Sequence, residues 1–297
     1  MTSFRYFHQV ARLGSIRQAS ECLNVAPSSV SRQLLMLERQ FGTMLLARSA
    51  QGVSLTHAGI LVDEFAQTML LDFDTLRADI DDLRGIGRAM IRVAAIESLA
   101  SQPLAALTVF RERHPGVVFR ILTLPASQVE DAVRTGTCDL GLTINPSTDP
   151  ELRTVCDFHE PLLLAVAPCH PLGDRTSINI ADLVHHDLAV HESEHGVRRL
   201  IDLASRSHGF TINPVLSSSS LKVLKDFASC GLGAAIITRS GAAGAELCGQ
   251  LVLIPINEPI LDGSRTGLIV RRDRRLSRAL NLFMEEIVQA MRASSCE

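Results

Sequence analysis

The 297-residue chain lacks any Cys-x-x-Cys pair, and its seven cysteines, at positions 22, 138, 156, 169, 230, 248 and 296, are odd in number and scattered. That pattern excludes a disulfide framework or a cysteine metal clip and fits thiols kept reduced in a cytoplasm. Cys22 and Cys230 fall in helical patterns, where buried packing is the expected role. No run of 18 apolar residues occurs, and the opening segment is interrupted by Arg5, His8 and Arg12. Neither a membrane span nor an export signal is expected, so the expected location is cytoplasmic. Low-complexity tracts are scarce, and 46% hydrophobic residues suffice for a small domain plus a larger two-lobed one. The net charge of −3 is small, but it hides a separation. Residues 1–57 carry six Arg, no Lys and a net +4; residues 58–85 carry −5, and the rest −2. Positive charge gathered on one small segment is what attraction to phosphates requires.

Within that basic segment, Ser15–Leu37 reads as two short helices meeting at a tight turn. Ser15 is a good N-cap, and Gln18 completes a capping box that satisfies two otherwise unpaired N–H groups. Ile16, Ala19 and Leu23 recur at helical spacing and share a buried stripe. Asn24 tolerates the left-handed conformation that ends helices, and Pro27 suits the first turn of the next. In that second helix Val30, Leu34 and Leu37 face inward, leaving Ser28, Ser29, Ser31, Arg32 and Gln33 near the exposed start. Arg and Gln can read base edges in a major groove, and Ser can hold phosphates. Arg17, Gln18 and Pro27 complete the candidate DNA-contacting set with Arg48. Paired amphipathic helices also occur in all-α domains that never meet DNA, so the flanking charge is what tilts the reading. Arg48 to Thr56 reads as a hairpin with Gly52 at its turn and Val53 and Leu55 alternating, a wing that can lay Arg48 along a DNA backbone.

From Ile60 to Arg84 there is no Gly or Pro, while Leu61, Phe65, Met69, Phe73, Leu76, Ile80 and Leu83 fall three or four apart. That spacing predicts one long helix with a continuous apolar stripe. At about 40 Å it is too extended for a small domain to cover, so self-complementary pairing is its expected use. Gly85 and Gly87 are the expected hinge. Beyond Arg88 strands and helices alternate: Met90–Ile96, a helix ending before Pro115, Val117–Leu122, helix Gln128–Thr135 and Leu140–Ile144. This order predicts a largely parallel sheet covered by helices. A second block runs from Pro161 to Thr266, with strands near Leu162–Ala167, Leu188–Val190, Ile212–Leu216 and Ala234–Thr238. Strand Leu268–Val270 and a final helix Leu276–Met291 follow.

Ligands of such sheets sit beyond the carboxyl ends of strands, near helix N-termini. The rule nominates Ser98, Ser127, Thr143, Asn145, His191, Ser218, Ser219 and Thr238, with Ser218 and Ser219 opening a helix Leu221–Cys230. Each is equally explicable as a cap or turn residue. No Arg or Lys stands at these strand ends, so the cleft does not announce a dicarboxylate or a phosphate, although an acid could still bind through helix N-termini.

Three motifs point elsewhere. His191-Glu-Ser-Glu-His195 has the H-E-x-x-H zinc-protease letters, but it follows a strand and precedes Gly196, so the required helix is not expected. A cleft histidine that contacts a ligand or senses pH is the remaining use. Gly231-Leu-Gly233 runs from helix into strand and lacks a third glycine, so it reads as a helix cap and turn instead of a dinucleotide site. The basic run Arg271–Arg275 reads as the solvated start of the last helix. A zinc hydrolase and a solute-binding protein dimerised by its first helices are the rival functions.

A wider set of residues carries a family resemblance: Phe7 to Ala11, Gly14-Ser15, Ala19-Ser20, Leu23-Asn24-Val25, Val30 to Gln33, Leu37-Glu38, Phe41-Gly42, Leu45, Arg48, Leu55-Thr56 and Ala58-Gly59. In these the chain resembles the LysR-type transcriptional regulators of bacteria, and the resemblance continues through the C-terminal part. It departs where many members read Ser-Gln-Pro and this chain reads Ala26-Pro27-Ser28, and where Leu46 replaces Phe. The resemblance implies an overall α/β chain: a winged helix-turn-helix at 1–57, a dimerising linker helix and hinge at 58–87, and a periplasmic-binding-protein-like effector domain at 88–297. Its subdomains would be about 88–160 with 267–297, and about 161–266. It implies a homodimer or homotetramer on a dyad-symmetric double-stranded operator, controlled by a small-molecule effector and able to engage RNA polymerase. No catalytic residue, cofactor, metal or membrane partner is expected.

Overall fold

The computed structural model describes residues 1–49, 52–83, 90–193 and 195–295. The chain divides into two compact units, Met1–Arg84 with Asp273–Ser277, and Gly85–Arg272 with Arg278–Glu297.

The first unit begins with helices α1 (Thr2–Leu13), α2 (Ile16–Leu23) and α3 (Pro27–Phe41). A hairpin of β1 (Leu46–Ser49) and β2 (Gly52–Leu55) follows, then the long α4 (His57–Leu83). Asn24 takes the left-handed conformation at φ 56° that ends α2, and Pro27 opens α3. Phe7, Val10, Ala19, Val30, Leu34, Leu37, Leu45, Leu46 and Val62 form the core, with Ile16 and Leu23 packed at its edge. Truncating a fully buried residue such as Leu34 to Ala costs about 2–5 kcal/mol. Ser15 Oγ accepts the Gln18 amide at 3.3 Å, whereas the reciprocal bond from the Gln18 side chain is not formed among the described residues. Glu38 Oε1 accepts the amides of Leu45 and Leu46 at 2.9 and 3.3 Å, fixing the chain as it enters the hairpin. At the other end of the hairpin Thr56 Oγ1 donates to the Met44 carbonyl at 2.8 Å and accepts the Gly59 amide at 3.0 Å, capping α4. Cys22 and Cys230 are exposed, contrary to the packing role expected of them. Cys22 lies off the face of α2 that buries Ala19 and Ser20, and Cys230 is a C-cap.

The second unit holds two sheets. The first comprises β3 (Met90–Ala95), β4 (Val118–Thr123), β5 (Leu140–Ile144), β6 (Leu152–His159) and, from the far end of the chain, β13 (Arg265–Arg271), in the order β4-β3-β5-β13-β6. The second comprises β7 (Leu162–Val166), β8 (Ile178–Asn179), β9 (Leu188–His191), β10 (Leu216–Ser218), β11 (Ala234–Thr238) and β12 (Val252–Asn257), in the order β10-β9-β11-β7-β12-β8. Their helices are α5 (Gln102–Arg113), α6 (Ala126–Arg134), α7 (Gly196–Ser207), α8 (Leu221–Ser229), α9 (Arg239–Ala242), α10 (Pro259–Asp262) and α11 (Arg278–Ser295).

Each sheet is mixed, not largely parallel: β13 runs antiparallel to both β5 and β6, and β7 to both β11 and β12. The chain passes between the lobes at Glu160–Pro161 and at Gly263–Arg265, where the Glu160 amide donates to the Ser264 carbonyl at 2.9 Å. Three local expectations shift. The strand expected at Ile212–Leu216 is β10, which starts only at Leu216. The last helix starts at Arg278. The run Arg271–Arg275 precedes that helix and is engaged: Arg271 is nearly buried and donates to the Arg134 carbonyl, while Arg272 donates to the carbonyls of Pro150 and Leu152. Gly85 and Gly87, the expected hinge, lie outside the described residues.

Gly59 marks the tightest approach in the first unit, because a Cβ there would stand 2.0 Å from the Leu45 carbonyl oxygen. Backbone on both sides cannot yield as a flexible side chain does. Gly59→Ala is expected to destabilise the first unit by about 1–3 kcal/mol or more, while Gly244→Ala, with open space around it, leaves the melting temperature unchanged. Equal thermal melts for the two variants would contradict this packing.

Candidate nucleic-acid interface and ligand cleft

The start of α3 presents the candidate DNA face. Val30, Leu34 and Leu37 are buried, which turns Ser28, Ser29 and Arg32 outward into solvent, with Ser31 and Gln33 half-buried on its flanks. Ala26 makes no side-chain cap bond, Pro27 has no N–H and the Ser29 amide turns back to the Ala26 carbonyl at 2.9 Å, so α3 starts without the side-chain cap that Ser15 gives α2. Open helix N-termini favour anions, phosphates included. Arg17 pairs with Glu21 at 3.1 Å, but the side chains are 85% and 63% exposed, so the pair is weak and exchangeable. Gln18 is exposed. Arg48 stands opposite Val53 in the hairpin, and its side chain lies outside the described residues. Ser3, which the sequence reading passed over, donates from Oγ to Gln33 Oε1 at 2.6 Å and so orients the Gln33 amide.

The second unit brings several nominated residues to the junction of its lobes and assigns others to structural duties. Ser98 lies half-buried in a single turn, Glu97–Leu99, just after β3. Ser127 is the second residue of α6, not the residue before it, and is exposed. Asn145 has φ 44°, and its side-chain oxygen accepts the Arg265 amide at 2.8 Å, a tie between strand ends. Thr238 Oγ1 accepts the Gly241 amide at 3.1 Å and caps α9. Ser218 ends β10 and accepts the Ser220 amide at 3.1 Å, Ser219 is exposed in the turn, and the N-cap of α8 is Ser220 instead. Thr143 is fully buried in β5.

Glu97 is the residue that sequence reasoning missed. Its carboxylate crosses from one lobe to the other, accepting the Leu221 amide at 2.8 Å at the start of α8 and standing 3.5 Å from Ser220 Oγ. Glu160 acts similarly at the start of α9, accepting the Ser240 amide and hydroxyl at 2.8 and 2.6 Å. Glu97 directly follows an apolar strand, one place before nominated Ser98, and that adjacency was its only signal.

His191 ends β9 and His195 caps α7, with their rings stacked 3.9 Å apart and 7° from parallel. They are not one turn apart on a helix, so the placement demanded by H-E-x-x-H chemistry is not met; Glu194 lies outside the described residues. His195 Nδ1 accepts the Val197 amide at 3.4 Å. Burial, reinforced by His195, pushes the His191 pKa down to about 3, opposed by a hydrogen bond to the Ser218 backbone. Burial likewise lowers that of His195, against the pull of nearby Glu97 and with a further push from Arg199. His191 Nδ1 and the hydroxyls of Thr143, Ser264 and Thr266 are buried without a protein partner. Each such group costs about 1–3 kcal/mol unless something meets it.

Gly231 ends α8 at φ 73° and the chain then enters β11, so Gly231-Leu-Gly233 is a helix stop and turn.

The lowered histidines set a pH dependence. An unfolded His titrates near about 6.5, so between that pH and about 3 the unfolded chain binds more protons than the folded one. Stability of the second unit should therefore fall as pH drops from 7 to 5, and His191→Gln should flatten part of that fall. Identical pH profiles of the melting temperature for the two proteins would contradict the neutral, buried His191.

No helix among the described residues is long and apolar enough to cross a membrane. Residues 1–60 match the family described as "Bacterial regulatory helix-turn-helix protein, lysR family", and residues 85–292 match the "LysR substrate binding domain". An uncharacterized HTH-type transcriptional regulator of Mycobacterium tuberculosis is 31% identical over 268 residues, 86% of each chain. Among solved structures, a full-length OxyR variant from Pseudomonas aeruginosa superposes with a TM-score of 0.71 at 22% identity, covering 96% of this chain and 93% of its own. CbnR, solved in complex with its target DNA, gives 0.57 at 20% identity, covering 97% and 99%. Both matched regions thus point the same way: the chain is a member of the LysR family, a ligand-responsive DNA-binding transcriptional regulator.

Proposed function

We propose that the chain divides functionally into a DNA-reading head at 1–57, a pairing helix with its hinge at 58–87 and an effector domain at 88–297. The observation that carries the reading is the exposed polar start of α3, with Arg32 at its centre and no side-chain cap at its N-terminus. Arg32 and Ser31 make the leading contacts to a dyad-symmetric operator, supported by Ser28, Ser29, Gln33, Pro27, Arg17, Gln18 and Arg48. The solved complex of CbnR with its target DNA supports such docking for this fold. An effector held between the lobes, near Ser98, Ser127 and His191, biases how the dimers are arranged on the operator. That arrangement in turn sets how RNA polymerase is engaged. The setting is the cytoplasm, and no step in this reading is catalytic.

Pairing is supported by the surface of α4. Val62, Ala66 and Leu71 are buried within their own unit, while Leu61 is 68% exposed, Phe65 56% and Phe73 47%. Leu76 and Ile80 continue the same outward stripe. An apolar row of that length left to water marks an interaction surface, and a two-fold axis lets one helix cover its own copy, giving a homodimer or a homotetramer built from it.

Two measurements test this reading. Arg32→Ala should abolish preference for the operator over random DNA in gel shifts at physiological salt, with residual binding that stays salt-dependent. An unchanged specificity ratio would remove Arg32 from the interface. Leu61→Asp combined with Phe73→Asp should shift the protein to monomer in analytical ultracentrifugation, and an unchanged sedimentation coefficient would mean that another surface joins the copies.

A further inference from the structure

The outward face of α3 carries two apolar side chains that the core of its unit does not use. Leu35 is 48% exposed and Met36 53% exposed, and neither belongs to the core cluster or packs against it. They stand three and four positions after Arg32, so they neighbour it on the helix surface. Helical side chains lean toward the N-terminus, which carries both back over the turn that holds Arg32. Arg39, four positions after Leu35 and three after Met36, is exposed on the same face. The face therefore runs arginine, apolar pair, arginine, on a helix whose opposite side buries Val30, Leu34 and Leu37.

This pair does not extend the stripe that serves pairing. Phe41, at the end of α3, meets Phe4 edge-on at 6.4 Å, and Phe4 in turn meets Phe65 of α4 at 5.7 Å. On that side the apolar surface of α3 joins the stripe of α4. At about 100° per residue, Leu35 and Met36 are turned about 120–140° away from Phe41. An apolar pair between two cations, on a segment of net charge +4, fits a polyanion that shows apolar groups between its charges. The DNA major groove is bordered by phosphates, and among the four bases thymine is the one that displays an apolar group there, its C5-methyl.

We propose that Leu35 and Met36 are specificity-determining residues that pack on thymine C5-methyl groups in each half-site of the operator, beside the base contacted by Arg32. The inference rests on the reading of α3 as the helix that enters the major groove. Each methyl buried in this way is worth about fourfold in affinity. That contribution depends on base identity and persists as salt rises, whereas arginine contacts to phosphates weaken.

The test uses the full-length protein. Its binding sites are selected from a random duplex library at physiological salt, and each thymine of the selected site is then replaced in turn by deoxyuridine, which removes only the C5-methyl. At least one replacement in each half-site is expected to weaken binding about fourfold. Leu35→Ala combined with Met36→Ala should bind the thymine and deoxyuridine sites equally, a change that leaves the fold intact because both side chains are exposed and Ala favours helix. Wild-type binding indifferent to deoxyuridine at every position overturns the methyl contact, and α3 stays the reading helix if Arg32→Ala still abolishes operator preference. A deoxyuridine penalty equal in the wild type and the double variant assigns the methyl contact to other residues and overturns the proposal. A double variant that sediments as a smaller species than the wild type makes the pair a contact between copies and overturns it as well. A library that yields no preferred sequence removes the reading of α3 itself and takes this inference with it.

Discussion

Every helix begins with N–H groups that its own turns cannot satisfy, and where those groups find oxygen organises both units. Ser15 serves α2 and Thr56 serves α4, so the helix-turn-helix and the wing are locked at their joints by side chains three residues away. In the second unit the same need is met both locally and at longer range. Glu97 reaches across to α8, Glu160 and Thr238 close α9, and Glu258 accepts the Ile260 amide in α10. Each such cap is worth about 0.5–2 kcal/mol. Those that cross between lobes also fix the lobes' mutual position. The start of α3, like those of α1, α5 and α6, has no side-chain cap.

The wing depends on backbone contact more than on side chains. Gly52 has φ 130°, a conformation L-residues with a Cβ avoid, and a Cβ there would lie 2.7 Å from the Gly14 carbonyl. The next amide, of Val53, donates to that same carbonyl at 2.9 Å. The hairpin is thereby held to the end of α1, while Val53 and Leu55 pack against the core beneath it. Reading head and wing form one body, so a DNA contact made by one constrains the other.

Local rules carried the reading wherever the structure is local. Asn24, Pro27 and the inward row Val30, Leu34 and Leu37 follow from capping and helical periodicity alone, and their placement needed no distant partner. Misplacements came where distant contacts decide. Ser217 to Ser220 are four identical residues, and which one caps α8 is settled by Glu97 from the other lobe. Pro214 lacks an N–H for a ladder, so β10 starts after it although Ile212 is buried. β6 escaped notice because it is an edge strand carrying Arg153, Asp157 and His159 among its apolar residues. The place of Thr266 was equally hidden, since it joins the first sheet only once β13 returns from the end of the chain to pair with β5.

The central claim is that the exposed start of α3 enters the major groove. A photo-crosslinking side chain installed at Ser29, compared with one at the highly exposed Leu247, measures this directly on operator-bound protein. The account predicts crosslinks from position 29 to bases within each half-site and none from position 247. Operator binding at full affinity with no crosslink from position 29 would contradict it.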